Sequence, residues 1–162
     1  MKIFSEKSEI TYKTVDTSYL SEIAALDAEC FGKEAWMPKS IENDMLSASS
    51  VWIAAFCGGK VVGYINGVSV CDEAELNRIG VCKSHRRCGI GGQLVDELVS
   101  ALSEKMCKTI FLEVRESNKS ASALYEKCDF KKYAVRKNYY KNPTENAVLM
   151  LREIQYTAVI FC

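Results

Sequence analysis

The chain has 162 residues, 48% of them hydrophobic and 26% charged, which suits a single globular domain with a full core. Its 21 basic and 21 acidic residues cancel, and this balance excludes a general attraction to nucleic acid or to an anionic membrane. The N-terminus lacks the apolar core of a signal peptide and no segment is long enough to cross a bilayer, so we expect a cytoplasmic protein that binds no membrane.

Eight cysteines and a single histidine, His85, are scattered along the chain. No two cysteines form a Cys-x-x-Cys motif, and a zinc site would need thiolates at spacings that the chain lacks. We therefore expect no metal site, reduced thiols that pack as small hydrophobic side chains, and a solvated His85 in a turn.

Hydrophobic periodicity, helix caps and glycine turns predict seven strands and four helices. The predicted elements are, in chain order, a strand over 10–15, helices over about 19–30 and 38–46, strands over 51–56, 61–70 and 75–81, a helix over 93–105, a strand over 109–114, a helix over 120–128, and strands over 133–137 and 147–151.

The unit from the strand at Glu75 through the long helix to Val114 requires a right-handed parallel crossover, whereas the hairpins before and after it are antiparallel. We therefore predict an α/β domain with a mixed, mostly antiparallel twisted sheet, a central parallel strand pair and about four flanking helices.

The segment Arg86-Arg87-Cys88-Gly89-Ile90-Gly91-Gly92 follows the third of these neighbouring strands and leads into the long helix. Glycine allows the backbone to turn with its amides outward, and a helix start adds unpaired N–H groups and a positive dipole end, so the segment is suited to bind phosphate. It fits neither the Walker pattern nor the dinucleotide fingerprint. The alternative interpretation is a strand-to-helix turn that merely uses glycine.

Two further residues are candidates for proton transfer. Glu113 lies in the strand 109–114 on the face opposite Ile110, Leu112 and Val114. A carboxylate in a central strand is costly to bury, so it either performs a task in a wet cleft or forms a salt bridge with Arg115 or a nearby lysine. Tyr125 lies on the short helix, where a half-buried aromatic with its hydroxyl at the rim is the alternative to a functional role.

The glycine segment resembles the acyl-CoA pyrophosphate loop of the GNAT acetyltransferases, whose pattern of Gln or Arg, two residues, Gly, one residue, Gly or Ala is filled by Arg86, Gly89 and Gly91. The order of elements is also similar to the GNAT fold. A second resemblance lies within residues 112–130. There the chain is similar to the ribosomal-protein-alanine N-acetyltransferases, which acetylate a protein N-terminal alanine, in the stretches Leu112–Asn118 and Ala123–Lys127 and at Phe130. Further similar stretches are Asp72–Leu76, Arg136–Tyr140, and Cys30-Phe31 with Trp36.

This resemblance, which covers about residues 10–152, implies roles for individual positions. Glu113 matches the general base, Tyr125 the general acid and Asn118 a cofactor contact. Ile79-Gly80-Val81 matches the strand whose backbone pairs with the pantetheine arm, and Arg87 through Gly92 match the pyrophosphate loop, with Arg86 opening its pattern. Trp36, Tyr139 and Tyr140 would line the acceptor cleft.

The chemistry of acetyl transfer needs these residue types. An N-terminal ammonium has a pKa of about 8 and must lose a proton before its nitrogen attacks a thioester, which is a task for Glu113. A backbone N–H near Val81 would stabilise the oxyanion, and the Tyr125 phenol would protonate the departing thiolate. We expect direct transfer rather than a relay through Cys82 or Cys88.

The resemblance therefore predicts one GNAT domain over 1–162 that transfers the acetyl group of acetyl-CoA directly to a protein N-terminal amine, with the N-terminal alanine of a small-subunit ribosomal protein as the favoured acceptor. We expect no metal, no direct binding of nucleic acid, and a monomer or weak dimer. The alternatives are another amine acceptor, such as a polyamine or a lysine side chain, and a non-catalytic acyl-CoA sensor. The chain departs from the family's pattern at two places. Asp129 stands where the family's short helix commonly ends in glycine. The family usually has proline directly after Asn138-Tyr139-Tyr140, whereas here Lys141 and Asn142 come before Pro143. The apolar extension 153–162 would form an edge strand, a dimer contact or a disordered tail.

Overall fold

The computed structural model describes residues 9–156, in which the chain forms seven strands and four α-helices in the predicted order. The elements are β1 (Ile10–Thr14), α1 (Leu20–Phe31), α2 (Pro38–Met45), β2 (Ser50–Cys57), β3 (Lys60–Val70), β4 (Glu73–Val81), α3 (Ile90–Glu104), β5 (Thr109–Arg115), α4 (Lys119–Lys127), β6 (Lys131–Tyr140) and β7 (Glu145–Glu153).

The seven strands form one sheet in the order β1-β2-β3-β4-β5-β7-β6. β4 and β5 run parallel, and the other neighbouring pairs are antiparallel. α3 connects the two parallel strands, so the predicted mixed sheet with a central parallel pair is confirmed.

Helices cover both faces of the sheet. α3 buries Leu94, Val95, Leu98 and Leu102 completely, which is the apolar face that its helical spacing predicts. On the opposite face, α1 and α2 cover Trp52 and Tyr64 in a second, smaller core. The sheet therefore lies between two helical layers, each with its own core.

The largest differences between predicted and observed element boundaries are at α3 and β6. α3 begins at Ile90 rather than at residue 93, because Gly89 takes the left-handed conformation, with φ of 82°, at the position just before the helix. β6 spans residues 131–140 rather than 133–137. Its residues 131–139 are all exposed, so the alternation between buried and exposed side chains that reveals a strand is missing there.

The first residues of the C-terminal extension pack against the core. Glu153 ends β7, the Ile154 N–H donates to the Lys108 carbonyl at 2.8 Å, and the Tyr156 hydroxyl donates to the Cys107 carbonyl. Residues 157–162, on which most of the tail prediction falls, lie outside the described residues. Among residues 9–156, no helix has the length and hydropathy needed to cross a membrane.

Candidate active site

A gap opens in the sheet between β4 and β5. The two strands pair over only three positions, from Glu73 opposite Thr109 to Glu75 opposite Phe111, although they continue to Val81 and Arg115. Beyond this short ladder each strand keeps its other neighbour, and no strand among residues 9–156 pairs with it across the gap. The backbone N–H groups of β4 that face the gap are therefore available to a ligand.

The predicted pantetheine strand, Ile79-Gly80-Val81, lies in this unpaired part of β4. The Cys82 N–H donates to the Val62 carbonyl of β3 at 2.9 Å. Because successive N–H groups of a strand point to opposite edges, those of Ile79 and Val81 point away from β3 and into the gap. This orientation fits the predicted role of these residues.

A bulge in β4 decides which side chains face which layer. The register between β3 and β4 shifts at Asn66 and Gly67, so that Asn66 lies opposite Arg78 and Gly67 opposite Leu76. Leu76 packs in the α3 layer, whereas Arg78 contacts α1 on the other face. The bulge thus places an arginine on the α1 side of the gap.

The predicted phosphate loop leads from β4 into α3. Arg86, Arg87, Cys88 and Gly89 are exposed, and Arg87 has a φ of 62°. The first helical hydrogen bond of α3 joins the Gln93 N–H to the Gly89 carbonyl at 3.1 Å, so the preceding amides of residues 90–92 have no acceptor within the helix. These amides and the positive end of the helix dipole form a surface suited to a pyrophosphate.

A hydrogen bond to the end of β4 holds the Arg86 side chain in place. Its Nε donates to the Val81 carbonyl at 2.9 Å, and the Cys30 thiol contacts the same carbonyl at 3.5 Å. Burial raises the pKa of the Cys30 thiol, and the Arg86 guanidinium opposes that rise. Arg86 therefore fixes the start of the loop to the end of β4, and Arg87 is the exposed cation nearest the helix start.

Gly91 joins the loop to the helix that carries Tyr125. A Cβ at this position would lie 3.2 Å from Cδ2 of Leu124 in α4, which is tighter than an ordinary contact. Glycine here allows α3 and α4 to approach closely. The glycine pattern thus has a packing function in addition to any phosphate binding.

Tyr125 is more deeply buried than the half-buried aromatic that sequence reasoning gave as its alternative. Its side chain is 6% exposed and packs edge-on against Phe130. Burial, and then Tyr140 and Cys128, raise the pKa of the Tyr125 phenol well above its usual value. The phenol therefore keeps its proton at neutral pH and is available as a proton donor.

Glu113 lies on the α1 side of β5 and has a different partner from the ones expected. It forms an ion pair with Arg136 of β6 at 3.0 Å, rather than with Arg115 or a lysine. A hydrogen bond to Glu113 is the main cause that raises the pKa of Tyr139. Two neighbours on β6 thus orient the proposed base.

Tyr140 connects the regions of the two proton-transfer candidates. Its ring centroid lies 5.1 Å from that of Tyr139 and 4.3 Å from the Arg115 guanidinium carbon. Burial raises the pKa of Tyr140, and Glu113 raises it further, while Tyr140 itself contributes to the raised pKa of Tyr125. Tyr140 therefore lies close enough to influence both residues.

Asn118 and His85 show how local contacts change two sequence interpretations. Asn118 caps α4, since its Oδ1 accepts from the Ala121 N–H at 3.1 Å. The cap occupies one acceptor site of Oδ1 and leaves the Nδ2 group for a cofactor contact. His85 is half-buried rather than solvated, because its Nδ1 lies 3.2 Å from the Cys82 sulfur and 2.8 Å from the Ser84 hydroxyl.

A buried polar cluster around Asp27 contacts Trp36 and was not predicted from the sequence. Asp27 of α1 is 1% exposed and accepts hydrogen bonds from the Tyr64 hydroxyl, the Arg78 guanidinium and the Trp36 backbone N–H. One signal was available in the sequence: Asp27 follows Ile23 and Leu26 on the apolar face of a helix. An acid at that spacing requires a buried partner.

Comparisons with known proteins agree with this geometry. Residues 18–130 match the model of the acetyltransferase (GNAT) family. The chain is 44% identical over 94 residues to the [ribosomal protein bS18]-alanine N-acetyltransferase of Haemophilus influenzae, a match that covers 56% of the chain and 64% of that protein, so the chain spans somewhat less than two thirds of this relative. It is 28% identical over 154 residues to the N-alpha-acetyltransferase RimI of Mycobacterium tuberculosis, covering 92% of the chain and 96% of the relative.

Among solved structures, the ribosomal-protein-S18-alanine N-acetyltransferase of Escherichia coli superimposes with a TM-score of 0.84 at 26% identity, over 95% of the chain and 99% of that structure. The family match covers more than half of the chain, and the overall fold is shared with this solved structure over nearly the whole length. The chain belongs to the acetyltransferase (GNAT) family and has the GNAT fold.

Proposed function

We propose that this protein transfers the acetyl group of acetyl-CoA directly to the N-terminal amine of a protein, with the N-terminal alanine of a small-subunit ribosomal protein as the acceptor. The observation that carries the proposal is the arrangement at the gap between β4 and β5. There Glu113 lies on one strand, Tyr125 on the neighbouring helix, and a phosphate-type helix start at the end of the other strand. The names of the relatives support the choice of acceptor.

The residues around the gap fit acetyl-CoA. The free amides of residues 90–92 and the exposed Arg87 would hold the pyrophosphate, and the inward N–H groups of Ile79 and Val81 would bind the pantetheine arm. When bound, acetyl-CoA supplies an acetyl group activated as a thioester. The same proposal places the protein in the cytoplasm as a monomer or weak dimer that binds neither nucleic acid nor membrane directly.

The proposal assigns one residue to each proton-transfer step. Glu113, oriented by Arg136 and Tyr139, accepts the proton of the acceptor ammonium directly or through water. The Val81 N–H, which points into the gap, would stabilise the negative charge that develops on the acetyl oxygen. Tyr125, kept protonated by its buried position, donates its proton to the departing sulfur as the carbon–sulfur bond breaks. The second proton that the attacking nitrogen loses on forming the amide restores the Tyr125 phenol. None of these steps needs a covalent bond to the enzyme.

A groove beside Glu113 supports an elongated acceptor. It has a volume of about 330 Å³ and runs past Phe111 and Tyr133, with Glu73 and Glu75 on its wall. Such a groove can hold the residues that follow an acetylated N-terminus. Its two acids also favour the second candidate, a polyamine, whose amines they would attract.

The experiment measures thiol release from acetyl-CoA with three acceptors: an alanine-initiated peptide whose lysines are blocked, a peptide with a blocked N-terminus and a free lysine, and spermidine. We expect turnover with the first alone, and mass spectrometry should place the acetyl group on its terminal nitrogen. Turnover confined to spermidine or lysine would overturn the choice of acceptor. Acetyl-CoA binding without turnover of any acceptor would identify a sensor.

A further inference from the structure

Arg78 holds the backbone of the segment over residues 32–37, which joins α1 to α2 and is called here the acceptor loop. Its Nη1 and Nη2 donate to the Glu34 carbonyl at 3.1 and 3.0 Å. The same Nη1 lies 3.0 and 3.1 Å from the two carboxylate oxygens of Asp27. One guanidinium thus ties the acceptor loop to both α1 and the unpaired part of β4.

Two aromatic rings hold the guanidinium in a fixed plane. Its carbon lies 4.1 Å from the centre of the Phe31 ring and 4.5 Å from that of Trp36. A planar cation stacked in this way keeps its forked donors pointed at the Glu34 carbonyl. A lysine ammonium could still pair with Asp27, but it has neither the plane for stacking nor the fork for two bonds.

Asp27 contacts the acceptor loop as well as Arg78. Its carboxylate also accepts from the Trp36 N–H at 2.6 Å, so it fixes the acceptor loop at a second point. The Tyr64 hydroxyl is a further donor, and burial together with Asp27 raises the pKa of Tyr64, which keeps that donor protonated. The buried charge is therefore fully partnered, and the site resists rearrangement.

Glu34 links the two strands that diverge at the gap. Its carbonyl accepts from Arg78 of β4, and its carboxylate accepts from Arg115 of β5 at 2.8 Å. Arg115 in turn lies against Tyr140, a predicted acceptor contact. The acceptor loop is thus fixed across the α1 side of the gap by one arginine from each strand.

We propose that Arg78 is a positioning residue for the acceptor: it holds the loop 32–37 in the place where the incoming amine is aligned with Glu113, without itself touching substrate or cofactor. The inference rests on the proposed function, which identifies the acceptor, whereas the observed contacts of the loop do not depend on it. It assigns the loop to acceptor binding and leaves the cofactor side of the gap independent of Arg78.

The test is Arg78→Lys, with Arg152→Lys as its matched control. Arg152 is similarly shielded and also donates to a carbonyl, that of Cys128, but lies on the α3 side away from the gap. For Arg78→Lys we expect the KM for the acceptor peptide to rise about tenfold, while the KM for acetyl-CoA and the shape of the pH profile change little. Arg152→Lys should leave both KM values unchanged. A purely structural role for Arg78 would instead change both KM values together.

Hydrogen exchange gives a second readout that needs no acceptor. In Arg78→Lys the amides of residues 32–37 should exchange faster, with no change in α3. If the wild-type protein acetylates no peptide, the proposed function fails, and unchanged exchange in the loop would separately overturn the role of Arg78. Should Arg78→Lys not fold, Phe31→Leu keeps the ion pair and removes one stacking ring. Its acceptor KM should rise by a smaller factor, and a native value would contradict the proposal.

Discussion

The two sides of the gap are built in different ways. The cofactor side is nearly continuous in sequence, since β4 ends at Val81 and the phosphate loop and the start of α3 follow within eleven residues. The acceptor side is assembled from distant segments: Asp27 and Trp36 from the first helical layer, Arg78 from β4, Glu113 from β5 and Arg136 from β6.

This difference has physical consequences. The cofactor side uses backbone amides and a helix dipole, which many sequences can supply once a glycine-rich turn leads into a helix. The acceptor side uses side-chain ion pairs and stacked rings, whose geometry depends on the packing of several elements. We therefore expect substitutions on the cofactor side to affect acetyl-CoA alone, and substitutions on the acceptor side to affect the amine alone.

The largest effect should come from Tyr125, where the two sides meet. Tyr125→Phe keeps the ring and removes the proton donor, so kcat should fall by about 10²–10⁴ while acetyl-CoA still binds. Steady-state kinetics and calorimetry measure the two quantities. Tyr12→Phe, a half-buried tyrosine on β1 far from the gap, is the control and should leave kcat unchanged. Turnover of the Tyr125 variant near the wild-type level would remove this residue from the mechanism.

A charge at Gly92 should break the cofactor side alone. A Cβ there meets no atom within 4 Å, and a glutamate in the first turn favours the helix dipole, so the fold should be kept. Gly92→Glu should nevertheless weaken acetyl-CoA binding by about ten- to thirtyfold, because its charge repels the pyrophosphate. Gly92→Gln is the uncharged control. Equal affinity of the two variants would show that no phosphate lies at this helix start.

Gly91→Asp tests the same loop less cleanly. We expect it to abolish acetyl-CoA binding, but a side chain at Gly91 also presses on the Leu124 side chain of α4. Lost binding would then reflect either the charge or this change in packing. Calorimetry on a folded Gly91→Asp protein still has one decisive outcome, since unchanged affinity would contradict the loop assignment.

The smallest effect concerns Asp129, a position on neither side of the gap. It has a φ of 63°, at a position where the resemblance to the family predicts a glycine. Asp129→Gly removes the strain of a side chain in the left-handed conformation and should stabilise the fold by about 0.5–1 kcal/mol. Thermal unfolding should show a rise in Tm of about 1–4 °C. A clear fall in Tm would mean that the Asp129 side chain makes a needed contact.

Sequence periodicity was sufficient for the order and type of the described elements, because most strands and helices here bury one face. It failed at the ends of β6, where exposed residues show no alternation, and at the start of α3, where a glycine conformation decides the boundary. Local patterns of burial and capping carry this information, and an exposed edge strand does not.

The site residues also fall into those that a local sequence pattern predicts and those that it does not. The phosphate loop could be predicted from seven consecutive residues, and Glu113 from an acid in a central strand. The Arg136 partner of Glu113 and the Asp27–Arg78 pair could not, because each depends on which strands become neighbours and on a bulge that turns Arg78 towards α1. Contacts between elements far apart in sequence leave no local pattern.

The most direct test of the proposed chemistry is a pH series of kcat/KM from about pH 6.5 to 9.5 with an alanine-initiated peptide, for the wild type, Glu113→Gln and Tyr125→Phe. The amine loses its proton without help as the pH rises above about 8, so the Glu113→Gln defect should shrink towards high pH. The raised pKa of Tyr125 keeps its phenol protonated over this range, so the Tyr125→Phe defect should stay constant. Near-normal turnover in both variants would contradict the mechanism, and relief at high pH confined to Tyr125→Phe would mean that the two roles are reversed.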